Sequence, residues 1–438
     1  MLLSVVICLF CFVTLIAFLR YKRISLGLPI AYLGSLLLIH VPGAVAHIVD
    51  GGNLLKGGVY TEIGIFFTAI ASSCFLFGVW LAHLRTTPPV RAAAPRAQFW
   101  NFCLYGGILV TTISYLTGVP TFGAILQKGG PIWMFAVMLG LRSAMLRRDV
   151  PATWRWLFVL ALYPTLMLLL GGFLSYGSVV AMIVLSALAV TARSRARVVF
   201  GTLGLVFVGI SIFLGYFQNR DAIRGAVWGG RDTEARVAAS LSAVKDVEWF
   251  DPSNTAHLWA LDARLNQNYF VGLAAARIES GKSEFLHGRT LWEGALAVIP
   301  RALWPDKPIK AGSGDIVSEM TGLLLSKETS FGVGNVMEFH INFGIFGIVM
   351  GFLLFGIVIG LLDRRAAELE IQGELGKAVL YFLPAVAIIQ PNGSMVEILG
   401  GGGAAVAAGL AWGWAWQRWP KPKDRQYAVP NTLARTVS

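Results

Sequence analysis

Positive charges on a stiff backbone distinguish one short segment, residues 297–314, from the apolar chain around it. The segment contains Pro300, Arg301, Pro305, Lys307, Pro308 and Lys310. Each proline restricts the backbone, so the arginine is held in place and the two lysines flank the last proline. Residues 312–314 then precede a predicted helix whose first amides can bind an anion. The pattern predicts a diphosphate-binding site, and anchoring to lipid headgroups is the alternative.

Motifs for other kinds of chemistry are missing from the sequence. It has no glycine-rich phosphate loop ending in Lys-Ser or Lys-Thr, no Gly-x-Ser-x-Gly elbow and no His-Glu-x-x-His. All four cysteines fall in apolar runs, so they predict neither a disulfide framework nor a metal site. Nucleotide-driven and zinc-dependent chemistry are therefore not indicated, and neither a cofactor nor a metal is predicted.

The elements that position these residues are expected to lie in a membrane. Hydrophobic residues make up 56% of the chain and charged residues 14%, outside the range of soluble domains. Apolar runs long enough to cross a hydrocarbon layer of about 30 Å predict an all-α polytopic membrane protein with about eleven transmembrane helices. These runs are 2–19, 27–48, 63–84, 99–118, 131–146, 155–173, 177–192, 198–216, 342–362, 376–391 and 395–416.

The distribution of Lys and Arg predicts the orientation of these spans. Of the 36 Lys and Arg residues, 21 lie in the connections 20–26, 85–98, 142–155, 193–197 and 363–377 and in the tail after 416. The opposite short connections contain only Lys56 and Lys128. Because cytoplasmic connections are enriched in Lys and Arg, the first set is expected to be cytoplasmic. The net charge of +12 then reflects topology and is no evidence for a nucleic acid partner.

A long segment, 217–341, falls on the outer face and is expected to carry the function, because loops of such length are usually functional or disordered. Its five tryptophans argue against disorder. Residues 254–278 predict an amphipathic helix that lies along the membrane surface or covers a cavity between spans. The predicted domains are a transmembrane bundle (1–216), the large periplasmic loop (217–341), C-terminal transmembrane helices (342–416) and a cytoplasmic tail (417–438).

Three stretches of the sequence resemble a known family. IPRALWPDKP (299–308) is followed by TSFGVGNVMEFHINFGIFG (329–347), and GYFQNRDAIRG (215–225) opens the large loop. They are similar to segments of the O-antigen polymerase or oligosaccharide repeat-unit polymerase family of bacterial inner membranes, which is related to the O-antigen ligases. The resemblance covers about 200–362 by motif. His340 departs from it, because an aromatic residue such as tyrosine is usual at that position.

The resemblance implies an integral membrane glycosyltransferase, GT-C-like in fold, that acts at the outer face of the inner membrane. Its substrates would be undecaprenyl-diphosphate-linked oligosaccharides, which it would join into polymer. Energy would come from the sugar-diphosphate bond, so no cofactor is implied. A chain-length regulator and a flippase are the implied protein partners.

Such a reaction needs cations for the departing diphosphate and a general base for the attacking hydroxyl. The diphosphate-binding candidates are Arg220, Arg224, Arg301, Arg289, Lys307 and Lys310. The candidates for the base are Glu338, His340, His287 and Asp315, in that order. A structural hydrogen bond is the alternative role for each acid.

The non-enzymatic alternatives are a lipid-linked glycan transporter and a non-catalytic membrane partner of an export complex. Ionisable residues are scarce within the predicted spans, which counts against the transporter. The histidines at 40, 47 and 83 are interpreted as hydrogen-bonded packing residues. Glu397 either lines a site or caps a helix. The glycine pairs 347/351 and 356/360 and the run 400–403 predict close helix packing. An O-antigen ligase-type transferase remains the enzymatic alternative.

Overall fold

Helices form all the regular structure in the part of the chain that the computed structural model describes. The described residues are 1–51, 54, 57–84, 96–117, 120–171, 182–186, 188–190, 195–228, 248–301, 303–307, 313–324 and 332–420. The helices are α1 (Leu2–Lys22), α2 (Leu28–Val49), α3 (Gly58–Ala82), α4 (Arg96–Thr117), α5 (Pro120–Gly129), α6 (Ile132–Arg147), α7 (Val150–Gly171), α8 (Arg195–Trp228), α9 (Thr255–Arg264), α10 (Gln267–Glu279), α11 (Arg289–Ala297), α12 (Ser313–Thr321), α13 (Asn335–Ile371), α14 (Leu375–Ile388) and α15 (Met395–Arg418).

Seven helical segments among the described residues are long and apolar enough to cross a membrane. They are Leu2–Lys22, Leu28–Val49, Gly58–Ala82, Gly123–Arg147, Phe200–Asn219, Asn335–Ile371 and Met395–Arg418. Val150–Leu162 and Leu375–Ile388 are shorter apolar helices. The all-helical fold class is therefore confirmed for the described residues, and the seven apolar helices are compatible with a polytopic membrane protein. The span count of eleven stays a prediction, because half of the predicted run 177–192 lies outside the described residues.

The helices α1 and α3 and the later part of α13 run in one direction and α2 runs in the opposite direction, so their ends meet at two opposite ends of the bundle. At the tail end (residues 20–27 and 363–377), Asp363 Oδ1 accepts hydrogen bonds from Leu26 N at 3.0 Å and Leu28 N at 3.1 Å. These amides precede and begin α2, where a helix lacks internal acceptors. Asp363 thus fixes the turn between α1 and α2 against the last part of α13.

The longest helix, α13, packs closely on α3 through glycines. A Cβ added to Gly356 would collide with Phe75 O, and one added to Gly360 would lie 2.8 Å from Ala82 Cβ. Small residues let membrane helices approach backbone to backbone. The packing role predicted for this glycine pair is therefore confirmed.

The loop end of the bundle (residues 248–301 and 313–324) is covered by α9 and α10. The predicted helix over 254–278 is interrupted at Leu265 and Asn266, because Asn266 is buried and Nδ2 donates to Thr61 Oγ1 on α3 at 2.9 Å. Leu265 O also accepts from Gly43 N on α2 at 3.0 Å. The helices α9 and α10 thus pack on the ends of α2 and α3, and both placements expected for this segment stay predictions.

Polar side chains fasten this cover to the bundle. His40 Nδ1 donates to Asn268 Oδ1 at 2.6 Å, and Asn268 Nδ2 donates to His40 O at 2.6 Å. His47 Nε2 donates to Asp262 Oδ1 at 2.8 Å. The hydrogen-bonded packing role predicted for these two histidines is confirmed, because each joins α2 to the cover.

Candidate active site

The helix α13 is broken near its start. The backbone angles of Phe343 (φ −143°, ψ 22°) and Gly344 (φ 60°, ψ −146°) are not helical. The break separates a half-helix (residues 335–342) from a long arm (residues 345–371). Glu338, the first proton acceptor predicted from the sequence, lies on the half-helix.

The half-helix folds back along the long arm. The ring centroid of Phe339 lies 5.5 Å from that of Phe352 and 5.6 Å from that of Phe355. In a straight helix the rise between Phe339 and Phe352 would be about 20 Å. The two parts of α13 therefore form a helical hairpin, and Glu338 is carried on its short re-entrant arm.

Three glycines make this hairpin possible. Gly344 adopts a left-handed φ of 60°, which glycine tolerates because it has no Cβ. A Cβ added to Gly347 would collide with Phe339 O, and one added to Gly351 would lie 2.6 Å from the Phe339 ring. The glycine pair predicted as a packing motif thus packs one arm of the same helix against the other.

Asn342 ends the half-helix and ties it to the start of α11. Its Nδ2 donates to Glu338 O and to Thr290 Oγ1, both at 2.7 Å. Its Oδ1 accepts a hydrogen bond from Gly288 N at 3.0 Å. Because the last carbonyls of a helix lack internal donors, the amide caps the half-helix and fixes residues 288–290 beside it.

The Glu338 carboxyl group is completely buried. Its Oε2 accepts a hydrogen bond at 2.8 Å from Met395 N in the first turn of α15, where backbone N–H groups lack helical acceptors. Thr290 also approaches the carboxyl group. Among the described residues, Oε1 has no hydrogen-bond partner of ordinary geometry. A buried carboxyl group with one anchored and one unsatisfied oxygen can receive a proton from a ligand.

The start of α15 is itself rigidly held. Ser394 and Glu397 form a capping box, in which Ser394 N donates to Glu397 Oε2 at 3.0 Å. Asn335, the first residue of the half-helix, donates from its backbone N to Pro391 O at 2.9 Å and from Nδ2 to Gly393 O at 3.1 Å. Of the two roles expected for Glu397, the helix cap is confirmed.

Further charged groups converge on the start of α15. Glu293 on α11 and Glu397 lie close enough to Glu338 to interact with it electrostatically. Lys128, at the end of α5, interacts in turn with Glu397. Its side chain lies against Gly401, where an added Cβ would be 3.2 Å from Nζ. Three carboxyl groups and one ammonium group therefore surround the first turns of α15.

The proline-bracketed loop begins beside the same helix. A Cβ added to Gly400 would lie 3.4 Å from Ala297 O at the end of α11. A turn is centred on Pro305 and Asp306, because the backbone N of residue 307 donates to Trp304 O at 3.3 Å. The residues directly before segment 299–308 thus contact α15, and segment 329–347 contacts the start of α15 through Glu338.

The cations of this loop bond to carbonyl groups of the loop and of α11. Lys307 Nζ donates to the backbone oxygens at 2.8 Å, 3.2 Å and 3.5 Å of Ile299, Ala297 and Leu296. Lys307 therefore caps the end of α11. Burial, with a smaller contribution from the Arg301 charge, lowers the pKa of Lys307. Arg301 is exposed, and its Nη1 donates to Pro305 O at 3.1 Å.

Arg289 lies on a different surface, in an open cleft of about 410 Å³. Its Nη2 donates to Glu319 Oε2 at 2.7 Å in an exposed ion pair. Phe285 and Lys282 also line this cleft. The cleft adjoins the start of α11, whose next residue, Thr290, is buried toward Glu338.

The other predicted proton acceptors lie elsewhere. His340 is on the side of the half-helix that faces α3, with its ring centroid 4.7 Å from Phe67 and 6.2 Å from Phe285. This aromatic contact explains why an aromatic residue suits the position. His287 is exposed, with a φ of 47°. Asp315 is exposed in the first turn of α12.

Three predicted cations fall outside the described residues. They are Lys310 as a whole and the side chains of Arg220 and Arg224, whose backbones belong to α8. Their roles stay predictions.

Sequence reasoning overlooked Lys128, Thr290 and Asn342 as members of the site. Lys128 entered the sequence analysis only as a charge that sets the orientation. The signal that identifies it is its position directly before Gly129-Gly130-Pro131, which interrupts an apolar run. A charge beside a broken membrane helix is typical of a functional site.

Comparison with curated proteins gives no match, and comparison with solved structures gives none either. The family described as "Domain of unknown function (DUF8712)" matches residues 68–386, from α3 to α14. This match includes the half-helix with Glu338, Lys128 and the proline-bracketed loop. Because it covers well over half of the sequence, the chain belongs to the DUF8712 family.

Proposed function

We propose that this protein is a membrane glycosyltransferase that polymerises undecaprenyl-diphosphate-linked oligosaccharide repeat units at the periplasmic face of a bacterial inner membrane. The observation that carries the proposal is the buried carboxyl group of Glu338 on the re-entrant arm of α13. One motif segment of the polymerase resemblance carries Glu338 and meets the start of α15, and the other motif segment begins beside the same helix. A GT-C-like arrangement of the spans is part of the proposal.

The proposed reaction joins one lipid-linked glycan to another. A hydroxyl group of the acceptor sugar attacks the anomeric carbon of the donor, and the bond from that carbon to the diphosphate oxygen breaks. Glu338 takes the hydroxyl proton at Oε1, while Oε2 stays bound to Met395 N. Undecaprenyl diphosphate leaves with the bonding electrons, and nearby cations stabilise the charge that develops on it. The exposed guanidinium of Arg301 is one such cation, and the arginines of α8 are others.

Burial of Glu338 sets a condition on this mechanism. The acceptor hydroxyl reaches Oε1 only when the start of α11 moves away from the half-helix. The contacts to be released are the hydrogen bonds from Asn342 to Thr290 and from Gly288 to Asn342. Substrate binding at the loop end is the proposed cause of this opening.

The test combines an activity assay with a nearly isosteric substitution. Purified protein is incubated with lipid-linked repeat units, and the products are separated on a gel as a ladder. Glu338→Gln keeps an oxygen for Met395 N but cannot take a proton at neutral pH. We expect the polymerisation rate to fall by about 10²- to 10⁴-fold, with the thermal unfolding midpoint nearly unchanged.

The matched control is Glu374→Gln, which changes an exposed carboxylate paired with Lys377 at the tail end. We expect its ladder to equal that of the wild type. A normal ladder from Glu338→Gln would reduce Glu338 to a cap for α15 and remove the proposed base. A wild-type protein that makes no ladder from any lipid-linked repeat unit would reject the polymerase.

One observation favours a second candidate function, a transporter of lipid-linked glycans. Two membrane helices are interrupted, at Gly130-Pro131 between α5 and α6 and at Phe343-Gly344 in α13. Interrupted helices beside charged residues are typical of transporters. Movement of a labelled lipid-linked glycan across proteoliposomes, without a change in its length, would support this candidate over the polymerase.

A further inference from the structure

We propose that Lys128 is a ligand-binding residue whose ammonium group holds the diphosphate of a lipid-linked substrate within the membrane, in exchange for its electrostatic attraction to Glu397. The proposal rests on the proposed function for the identity of the lipid-linked glycan. The binding chemistry, an ammonium group for a polyprenyl diphosphate, is derived from the geometry below.

The depth of Lys128 sets it apart from a headgroup anchor. The adjacent Gly129 accepts a hydrogen bond from Trp412 Nε1 at 3.0 Å, and a Cβ added to Gly129 would lie 3.2 Å from Ala408 Cβ. Ala408 is about 20 Å along α15 from its start at Met395. The backbone of Lys128 is therefore near the middle of a span, where an ionisable side chain is costly and usually functional.

The side chain of Lys128 extends from this depth toward the loop end. It lies along Gly401, with the added Cβ position 2.9 Å from Cε and 3.2 Å from Nζ. Gly401 is about 9 Å from the start of α15. The ammonium group thus lies one to two turns below the first amides of α15, on the membrane side of Glu338. Glycine at 401 leaves the space that the side chain occupies.

The surroundings give Lys128 a weak partner. Glu397 interacts with it electrostatically, but Glu397 Oε2 already accepts a hydrogen bond from Ser394 N. Among the described residues, Lys128 makes no hydrogen bond and no ion pair within 4 Å. An ammonium group can donate three hydrogen bonds, so this one retains its full capacity for phosphate oxygens. A lipid diphosphate presents such oxygens at the end of a chain that lies in the bilayer.

The experiment measures binding rather than polymerisation. Wild-type protein in lipid nanodiscs is titrated with geranylgeranyl diphosphate, with geranylgeraniol, which lacks the phosphates, and with inorganic diphosphate, which lacks the chain. We expect the lipid diphosphate to bind more tightly than either of the other two probes. Lys128→Gln should weaken binding of the lipid diphosphate by about ten- to a hundredfold and leave geranylgeraniol binding unchanged.

Two further variants separate a binding role from a structural one. Glu397→Gln removes the competing negative charge and should tighten diphosphate binding by about three- to tenfold, because the ammonium group no longer gives up its attraction to a carboxylate. Gly401→Ala keeps the charge but displaces the side chain, so it should weaken binding severalfold. Lys377→Gln, at an exposed position of the tail end, is the matched control and should bind as the wild type does.

Equal affinity of wild type and folded Lys128→Gln for the lipid diphosphate would overturn the proposal. If Lys128→Gln does not fold, unchanged affinities in both Glu397→Gln and Gly401→Ala would overturn it. Inorganic diphosphate that binds as tightly as the lipid form would overturn the membrane placement of the ligand. Lys128-dependent binding without a ladder would reject the polymerase but support this inference. A normal ladder and normal affinity in Lys128→Gln would reject this inference alone.

Discussion

Charged side chains in this protein are of two kinds. Some stabilise the fold through hydrogen bonds, and others are available to bind a ligand. Lys307 belongs to the first kind, because its ammonium group donates to three carbonyl oxygens at the end of α11. Lys128 belongs to the second kind, because its neighbour Glu397 is already engaged in a helix cap. The same residue type thus has two roles within one site, and the hydrogen-bond partners decide which.

The capping role of Lys307 leads to a stability prediction. Lys307→Met keeps most of the buried side-chain stem but removes the charged donor, leaving carbonyl oxygens unsatisfied. We expect the free energy of unfolding to fall by about 1–3 kcal/mol, measured by denaturation of the purified protein in detergent. Lys377→Met, whose ammonium group is exposed beside Glu374, should change it by less than about 1 kcal/mol.

The opposite result for Lys307 would also be informative. An unchanged stability combined with lost diphosphate binding would return Lys307 to the role of substrate ligand that the sequence predicted for it.

At the residue scale, the sequence predicted Glu338 but not the residues that contact its carboxyl group. Glu338 was identifiable because it lies in a segment that resembles a known family. Its partners Met395 and Thr290 come from distant parts of the chain. No local pattern shows that the first amide of one helix will meet a carboxyl group on another. These contacts depend on tertiary packing, which cannot be predicted from local patterns in a single sequence.

At the scale of elements, apolar periodicity predicted the simple spans closely and the broken ones poorly. The run 395–416 corresponds to Met395–Arg418, and the run 27–48 to Leu28–Val49. In contrast, the prediction for 342–362 missed the half-helix before it. Hydropathy identifies the residues that tolerate lipid, but it contains no information about the direction in which the chain runs. The reversal at Phe343 and Gly344 leaves the apolar run continuous, so it is invisible to a hydropathy criterion.

The hairpin in α13 depends on the backbone conformation of Gly344. With φ 60° and ψ −146°, it lies close to a region that side-chain-bearing residues avoid. We expect Gly344→Ala to lower the free energy of unfolding by about 1–3 kcal/mol and to abolish the ladder, because the half-helix no longer holds Glu338 against α15. Thermal unfolding and the polymerisation assay together check this.

Gly209→Ala is the control for that experiment. Gly209 lies in α8, and a Cβ added there would meet no heavy atom within 4 Å. Alanine should therefore leave stability unchanged or raise it by up to about 1 kcal/mol. If Gly344→Ala were as stable and active as Gly209→Ala, the break in α13 would not be required for the site.

At the scale of the whole molecule, the two ends of the bundle differ in chemistry. The tail end carries Arg20, Lys22, Arg364 and Arg365 as well as the buried Asp363. The loop end carries the cover formed by α9 and α10 and all members of the candidate site except the deeper Lys128. The count of Lys and Arg predicted from the sequence that the two ends differ in charge. The charges lie in the connections between spans, so the count changes little when the span boundaries are wrong by a few residues. It could not predict that α10 would bury its polar residues against α3, since that requires the positions of Thr61 and His40.

This division predicts which end faces the cytoplasm. Lys282→Cys places a thiol on the exposed surface of the loop end, and Lys377→Cys places one on the exposed surface of the tail end. The native cysteines at 8, 11 and 103 are buried and Cys74 is half-buried, so the four native thiols are expected to react slowly. In intact spheroplasts, a membrane-impermeant maleimide should label Lys282→Cys within minutes and leave Lys377→Cys unlabelled until the membrane is permeabilised. The positively charged tail end would then be cytoplasmic, as the excess of Lys and Arg requires. The reverse labelling pattern would place Glu338 and Arg301 on the side of the membrane opposite to that of a periplasmic polymerase, and the proposed function would have to be abandoned even if the fold were correct.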